Sequence, residues 1–166
     1  MPLHRLPTRL SAWGARSDGE KDSSGPSASD SGAESAELMT IRKRRLKILV
    51  VDDHELFRSG LAYTLKEIYD AEVGQEETGS GALERAASGF DLVLMDINMP
   101  GLLDGLEACA EILRRALAVR VVLMTADATP ERRERAKALG ATLLTKPIDL
   151  KILERILLAC VGGQQS

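Results

Sequence analysis

The chain has 166 residues, of which 44% are hydrophobic and 28% charged, with a formal net charge of -3. That length sustains one domain with a real core but not two ordinary ones. No apolar stretch approaches the roughly 20 residues needed to span a bilayer, and residues 1–16 lack the apolar h-region of a secretory signal, so a soluble cytoplasmic protein is expected.

Residues 1–44 read as a disordered tail. Asp22-Ser23-Ser24-Gly25-Pro26-Ser27-Ala28-Ser29-Asp30-Ser31-Gly32 contains almost no periodic apolar residue, and such a segment buries too little surface to offset its ordering entropy. Trp13, the single tryptophan, lies among Arg5, Arg9 and Arg16 ahead of the first acid, Asp18. A short amphipathic docking element is therefore a second reading beside a solvated tail. Met39 is a second candidate for the start of translation. The run Arg42-Lys43-Arg44-Arg45 has no interleaved aromatics and reads as a solvated flank rather than a nucleic-acid contact. No reading helix accompanies it, and no DNA-binding domain is expected.

From Leu46 the pattern changes to short apolar runs alternating with helical stripes, the mark of β-α units and a parallel sheet. The run from Leu46 to Val51 is the first strand. A helix follows His54, with Phe57, Leu61, Leu65 and Ile68 on one face, then a weak strand at Ala71 to Gly74 and a short helix at Gly81 to Ala87. Leu92 to Met95 is the third strand, followed by the stripe Leu106, Cys109, Ala110, Leu113 and Leu117. After the fourth strand, Val121 to Met124, Thr129-Pro130 forms an N-cap and N1 pair for a helix closed by Gly140. That helix is mostly polar, with Arg132, Arg133 and Arg135 expected to be exposed as a partner face or a merely solvated one. Ala141 to Thr145 is the fifth strand, and a last helix from Asp149 turns Leu153, Ile156, Leu157 and Cys160 inward. The folded domain is expected over 45–162, with 163–166 as a short tail and no room for an attached output domain. Cys109 and Cys160 both fall in apolar helical patterns and read as buried reduced thiols.

Four of the apolar runs end in a particular kind of polar residue. The first ends in Asp52-Asp53, the third in Asp96, the fourth in Thr125 and the fifth in Lys146. In an open α/β sheet ligands bind outside the carboxyl ends of the strands, so these five groups are expected to meet there. Three aspartates together repel one another by about 4 kcal/mol per pair at 4 Å with an effective dielectric near 20. Such a cluster calls for a cation, and an all-oxygen donor set without Cys or His favours Mg²⁺ over zinc. His54, beside the acidic pair, reads as the start of a helix rather than a ligand. With a cation in place a carboxylate can attack a phosphoryl group. Asp96 is the candidate nucleophile because it ends the most hydrophobic strand, Lys146 supplies a point charge, and Thr125 a hydroxyl for a phosphate oxygen.

Ile48-Leu49-Val50-Val51-Asp52-Asp53-His54, Asp96-Ile97-Asn98-Met99-Pro100, Thr125-Ala126 and Lys146-Pro147 together resemble the signature of bacterial response-regulator receiver domains over roughly residues 46–161. The resemblance implies a flavodoxin-like doubly wound parallel sheet of five strands in order 2-1-3-4-5 with five helices. It implies that Asp96 accepts a phosphoryl group from a phosphohistidine of a sensor histidine kinase or phosphotransfer protein. Mg²⁺ is then bound by Asp53, Asp96 and the backbone carbonyl of Asn98, with Asp52 acting through water. Thr125 and Lys146 hold the phosphoryl oxygens, the Lys146-Pro147 bond is cis, and Asn98 and Asp127 set the rate of slow self-hydrolysis. The expected output is a changed surface for a downstream protein target rather than a released metabolite.

Two positions depart from the family pattern. The stretch Met99-Pro100-Gly101-Leu102-Leu103-Asp104-Gly105 is one residue longer than usual, and Leu143 stands where the family carries an aromatic residue. They motivate a second hypothesis, a phosphorylation-independent interaction module with the same fold. A third is a haloacid-dehalogenase-type phosphatase, which uses similar residue types but places its nucleophile after the first strand in an Asp-x-Asp pattern.

Overall fold

The computed structural model describes residues 30–162, so the expectations for Trp13, for most of the serine-rich segment and for 163–166 lie outside the described residues. Within them, β1 (Lys47–Val51), β2 (Glu72–Glu76), β3 (Phe90–Asp96), β4 (Ala118–Thr125) and β5 (Thr142–Thr145) form one parallel sheet in the order β2-β1-β3-β4-β5. The strand order is the one expected. The described residues hold six helices rather than five: α1 (Asp30–Arg44), α2 (Glu55–Tyr69), α3 (Gly79–Ala86), α4 (Gly105–Arg114), α5 (Pro130–Ala138) and α6 (Leu150–Gly162).

Strand residues alternate between two buried faces, as both sides of a doubly wound sheet require. Ile48, Val50, Leu92, Leu94, Val122 and Met124 pack against α2 and α6, whose Leu61, Leu65, Tyr69, Leu153, Ile156, Leu157 and Cys160 turn inward. Leu49, Val51, Val93, Met95, Val121 and Leu123 face the opposite cluster, where α4 contributes Leu106, Ala108, Cys109 and Ile112 and α5 only Ala136. On α2 the inward row runs Leu61, Leu65, Tyr69 at four-residue spacing, and Ile68, expected on that face, is 38% exposed. Both cysteines are buried and unpaired, and burial pushes the Cys109 thiol up to about 11.

Helix starts follow local side-chain chemistry. The His54 ring nitrogen Nδ1 accepts from the Phe57 backbone at 3.3 Å, so His54 caps α2. Asp104 and Glu107 form a reciprocal capping box on α4 at 2.8 and 3.0 Å. Thr129 caps α5 with Pro130 in its first turn.

Residues 30–44, read from the sequence as part of a tail, form helix α1. Its Ile41 is fully buried against the cluster beneath α2 and α6, and Leu38 packs on the same cluster. Burying such a side chain stabilises by about 1.5–3 kcal/mol. The last four carbonyls of any helix lack intrahelical donors, and α1 supplies donors to two such helix ends. Arg42 Nε donates to the Ile68 carbonyl of α2 at 3.0 Å, and Arg44 donates to the Cys160 carbonyl of α6 while pairing with Asp91 at 2.8 Å. Part of the basic run thus caps two neighbouring helices instead of flanking the domain in solvent, and a guanidinium there also complements the negative helix end. Arg45 takes a left-handed φ of 51° and turns the chain from α1 into β1.

Candidate functional site at the carboxyl rim of the sheet

Strand register brings the polar strand ends together. Val51 pairs with Met95, so Asp52 and Asp96, each one step on, stand side by side. Asp96 pairs with Met124 and Thr125 with Thr145, which sets Thr125 and Lys146 at the same rim. The ladders continue past the strands through Asp52 N to Glu76 O at 3.1 Å, Ile97 N to Met124 O at 2.9 Å and Lys146 N to Thr125 O at 2.8 Å. The site residues are therefore fixed by sheet hydrogen bonds, although loops follow them. The Lys146-Pro147 bond is cis, as the resemblance implied.

Lys146 spans the two deeper carboxylates. Its Nζ lies 2.6 Å from Asp52 Oδ2 and 3.1 Å from Asp96 Oδ1, with the ammonium 4.3 Å from the centre of the Phe57 ring. Asp52 is fully buried, and its other oxygen, Oδ1, accepts the His54 backbone N–H at 2.9 Å. The contact to Asp96 is an ion pair without hydrogen-bond geometry, so the buried Asp96 Oδ1 has no hydrogen-bond partner. Burial raises the Asp96 carboxyl above the ordinary range, Lys146 opposes that rise, and Asp52 and Asp53 add to it.

Asp53 completes the cluster from the exposed side. One carboxylate oxygen each from Asp52, Asp53 and Asp96 lie within 4.8 Å of one another. Three carboxylates facing one ammonium leave two uncompensated negative charges. A buried carboxylate oxygen that accepts no hydrogen bond, within an all-oxygen donor set, fits a hard divalent cation such as Mg²⁺ and gives a soft metal nothing to bind. Asn98 lines the same open cleft as Asp53, about 500 Å³ in volume, together with Met99, Arg132 and Arg135.

Thr125 is fully buried, but its hydroxyl is engaged away from Lys146. Oγ1 donates to the Asp127 carbonyl at 3.1 Å and accepts from the Asp127 N–H at 3.2 Å and from Arg132 Nη1 at 3.2 Å. Arg132, expected to be exposed, is half-buried and folded over the cleft. Its Nη2 donates to the Asn98 side-chain oxygen at 2.7 Å and its Nη1 to the Asp127 carbonyl at 2.8 Å. Arg133 and Arg135 are exposed as expected. Arg132 is the site residue that sequence reasoning missed. The available signal was its place three residues after the Thr129 cap, in the helical turn that starts beside the end of β4.

The loop after Asp96 packs close beneath it. Gly105 donates its N–H to Ile97 O at 3.0 Å, and a Cβ at this position would collide with the Asp96 carbonyl oxygen, so glycine is required. The longer stretch is accommodated outward: Gly101 adopts a φ of 122° and Leu102 is 92% exposed. Leu143 is half-buried and packs on the cluster shared with α4 and α5.

A family model described as the response regulator receiver domain matches residues 48–157. The chain is 37% identical over 125 residues to the response regulator GacA of Pseudomonas aeruginosa, covering 72% of this chain and 57% of the relative. It is 38% identical over 82 residues to the response regulator UvrY of Escherichia coli K12, covering 48% of this chain and 37% of the relative. The chain thus spans little more than half the length of the first of these and less of the second. Among solved structures, the chemotaxis protein CheY4 of Vibrio cholerae aligns with a TM-score of 0.62 and 31% identity, over 68% of this chain and 98% of that one. The signal receiver domain of the putative response regulator NarL from Mycobacterium tuberculosis aligns with a TM-score of 0.62 and 29% identity, over 72% and 98%.

Proposed function

The chain belongs to the response-regulator receiver-domain family, and from that premise we propose that it accepts a phosphoryl group on Asp96 and switches a protein-binding surface in response. The observation that carries the reading is the Lys146 ammonium bridging Asp52 and Asp96 while Asp53 stands within metal-binding reach of both. Asp52, Asp53, Asp96 and the Asn98 backbone carbonyl are the residues that would hold Mg²⁺, which when bound neutralises oxygens of the incoming phosphoryl group.

The donor is a phosphohistidine of a histidine kinase or a phosphotransfer protein. An Asp96 carboxylate oxygen attacks phosphorus, the P–N bond breaks, and its electron pair returns to the imidazole nitrogen, leaving an acyl phosphate on Asp96. Lys146, already 3.1 Å from Asp96, pairs with a phosphoryl oxygen. Thr125 turns its hydroxyl from the Asp127 carbonyl to a second phosphoryl oxygen, which draws the start of α5 with it. Asn98 and Asp127, flanking the cleft, govern the water that later hydrolyses the acyl phosphate. The product is a signalling state of the chain, and a downstream protein reads it.

Acetyl phosphate labelling of the full chain tests this. Incorporation is expected to require Mg²⁺ and to vanish in Asp96→Asn; labelling that persists in that variant removes the assignment. A haloacid-dehalogenase reading would instead require steady multiple turnover on a phosphate ester.

A further inference from the structure

We propose that Arg132 is a latch that holds the resting state by tying the Thr125 hydroxyl and the Asn98 side chain to the first turn of α5. The inference rests on the reading of Asp96 as phosphoacceptor. A threonine hydroxyl has one proton and two lone pairs. At Thr125 the proton goes to the Asp127 carbonyl, and the lone pairs take the Asp127 N–H and Arg132 Nη1. The hydroxyl therefore has no proton to offer toward Asp96 until this set of bonds opens.

The guanidinium ties together three segments at the rim. Nη2 reaches Asn98 on the loop after β3 at 2.7 Å, Nη1 reaches Asp127 on the loop after β4 at 2.8 Å, and the arm itself rises from α5. The Thr129 side chain accepts the Arg132 backbone N–H at 3.3 Å and fixes where that arm begins. Asp127 Oδ2, 3.9 Å away, adds a weaker charge contact. The planar fork places donors on separate nitrogens, so Nη2 reaches Asn98 while Nη1 reaches Thr125 and Asp127, whereas an ammonium carries all its donors on one atom. Because α5 buries only Ala136 in the core, the polar latch rather than apolar packing holds its first turn. Arg132 is thus a positioning residue that acts through Thr125 and Asn98.

The test follows acetyl phosphate labelling of the full chain in Mg²⁺ for the wild type, Arg132→Ala, Arg132→Lys, Asn98→Ala and the Arg132→Ala/Asn98→Ala pair. Opening the latch is expected to speed labelling on the order of tenfold in Arg132→Ala. Arg132→Lys should behave as Arg132→Ala does, and the gain from Arg132→Ala should shrink in the Asn98→Ala background. In the wild type, beryllofluoride with Mg²⁺ should shift the Arg132 Nε–H resonance. Slower or unchanged labelling in Arg132→Ala overturns the latch, as does a wild-type rate in Arg132→Lys, which would mark a charge that recruits the donor. An unmoved Nε–H resonance overturns it as well. If the wild type itself takes no label, the phosphoacceptor reading has failed rather than the latch alone.

Discussion

Helices α5 and α6 are held to the sheet by different forces. Helix α6 turns Leu153, Ile156, Leu157 and Cys160 into the core and is braced by α1, whose Arg44 donates to its last turn. Helix α5 contributes Ala136 to the opposite cluster and is otherwise polar, its first turn fastened through Arg132 to Asn98, Thr125 and Asp127. Apolar burial does not respond to a new charge at the rim, but hydrogen bonds to Thr125 and Asn98 do. Under the proposed function, the contrast assigns the responsive surface to α5 and the rigid frame to α1, α2 and α6.

The largest effects should appear on the rigid side. Leu153→Ala and Ile41→Ala are each expected to cost about 2–5 kcal/mol in urea unfolding, since both side chains are fully buried. Ala136→Gly on α5 is expected to cost about 1 kcal/mol. Equal losses at Leu153 and Ala136 would erase the contrast, and a negligible loss at Ile41 would return α1 to the status of a tail.

A smaller effect concerns Asp96 itself. Burial raises its carboxyl in the folded chain, so the folded state holds that proton more tightly than the unfolded one. The resulting stabilisation is fully present below the unfolded carboxyl value of about 3.9 and is lost as pH rises through the folded value. In EDTA, Asp96→Asn should therefore melt at a higher temperature than the wild type at pH 7, and the advantage should fade toward pH 4. Melting curves that differ equally at both pH values would contradict this account.

Much of this arrangement was legible in the sequence. The strands announced themselves as short apolar runs, and Asp52, Asp53, Asp96, Thr125 and Lys146 stood at their ends, so a parallel sheet was enough to gather them. Strand-end placement and side-chain chemistry made Asp96 the candidate nucleophile and Lys146 and Thr125 the candidate phosphate contacts, whereas the phosphohistidine donor came from the family resemblance, because spacing alone names no donor. Helix α1 was missed because it carries no continuous apolar stripe: Ile41 and Leu38 anchor it, and Arg42 and Arg44 fasten it to carbonyls that are distant in sequence. Periodicity cannot register such tertiary capping. Arg132 was missed for a related reason. A charged residue on a polar helix reads as solvated, and its acceptors on Asn98 and Asp127 become neighbours only when β3 and β4 pair.

Borohydride trapping is the most direct test of the central claim, because an acyl phosphate, unlike a carboxylate, is reduced to the alcohol. After acetyl phosphate and Mg²⁺ treatment, peptide mapping should find the reduced side chain at position 96 and nowhere else. Reduction at position 52 or 53 instead, or a phosphoryl group retained on His54, would contradict the account.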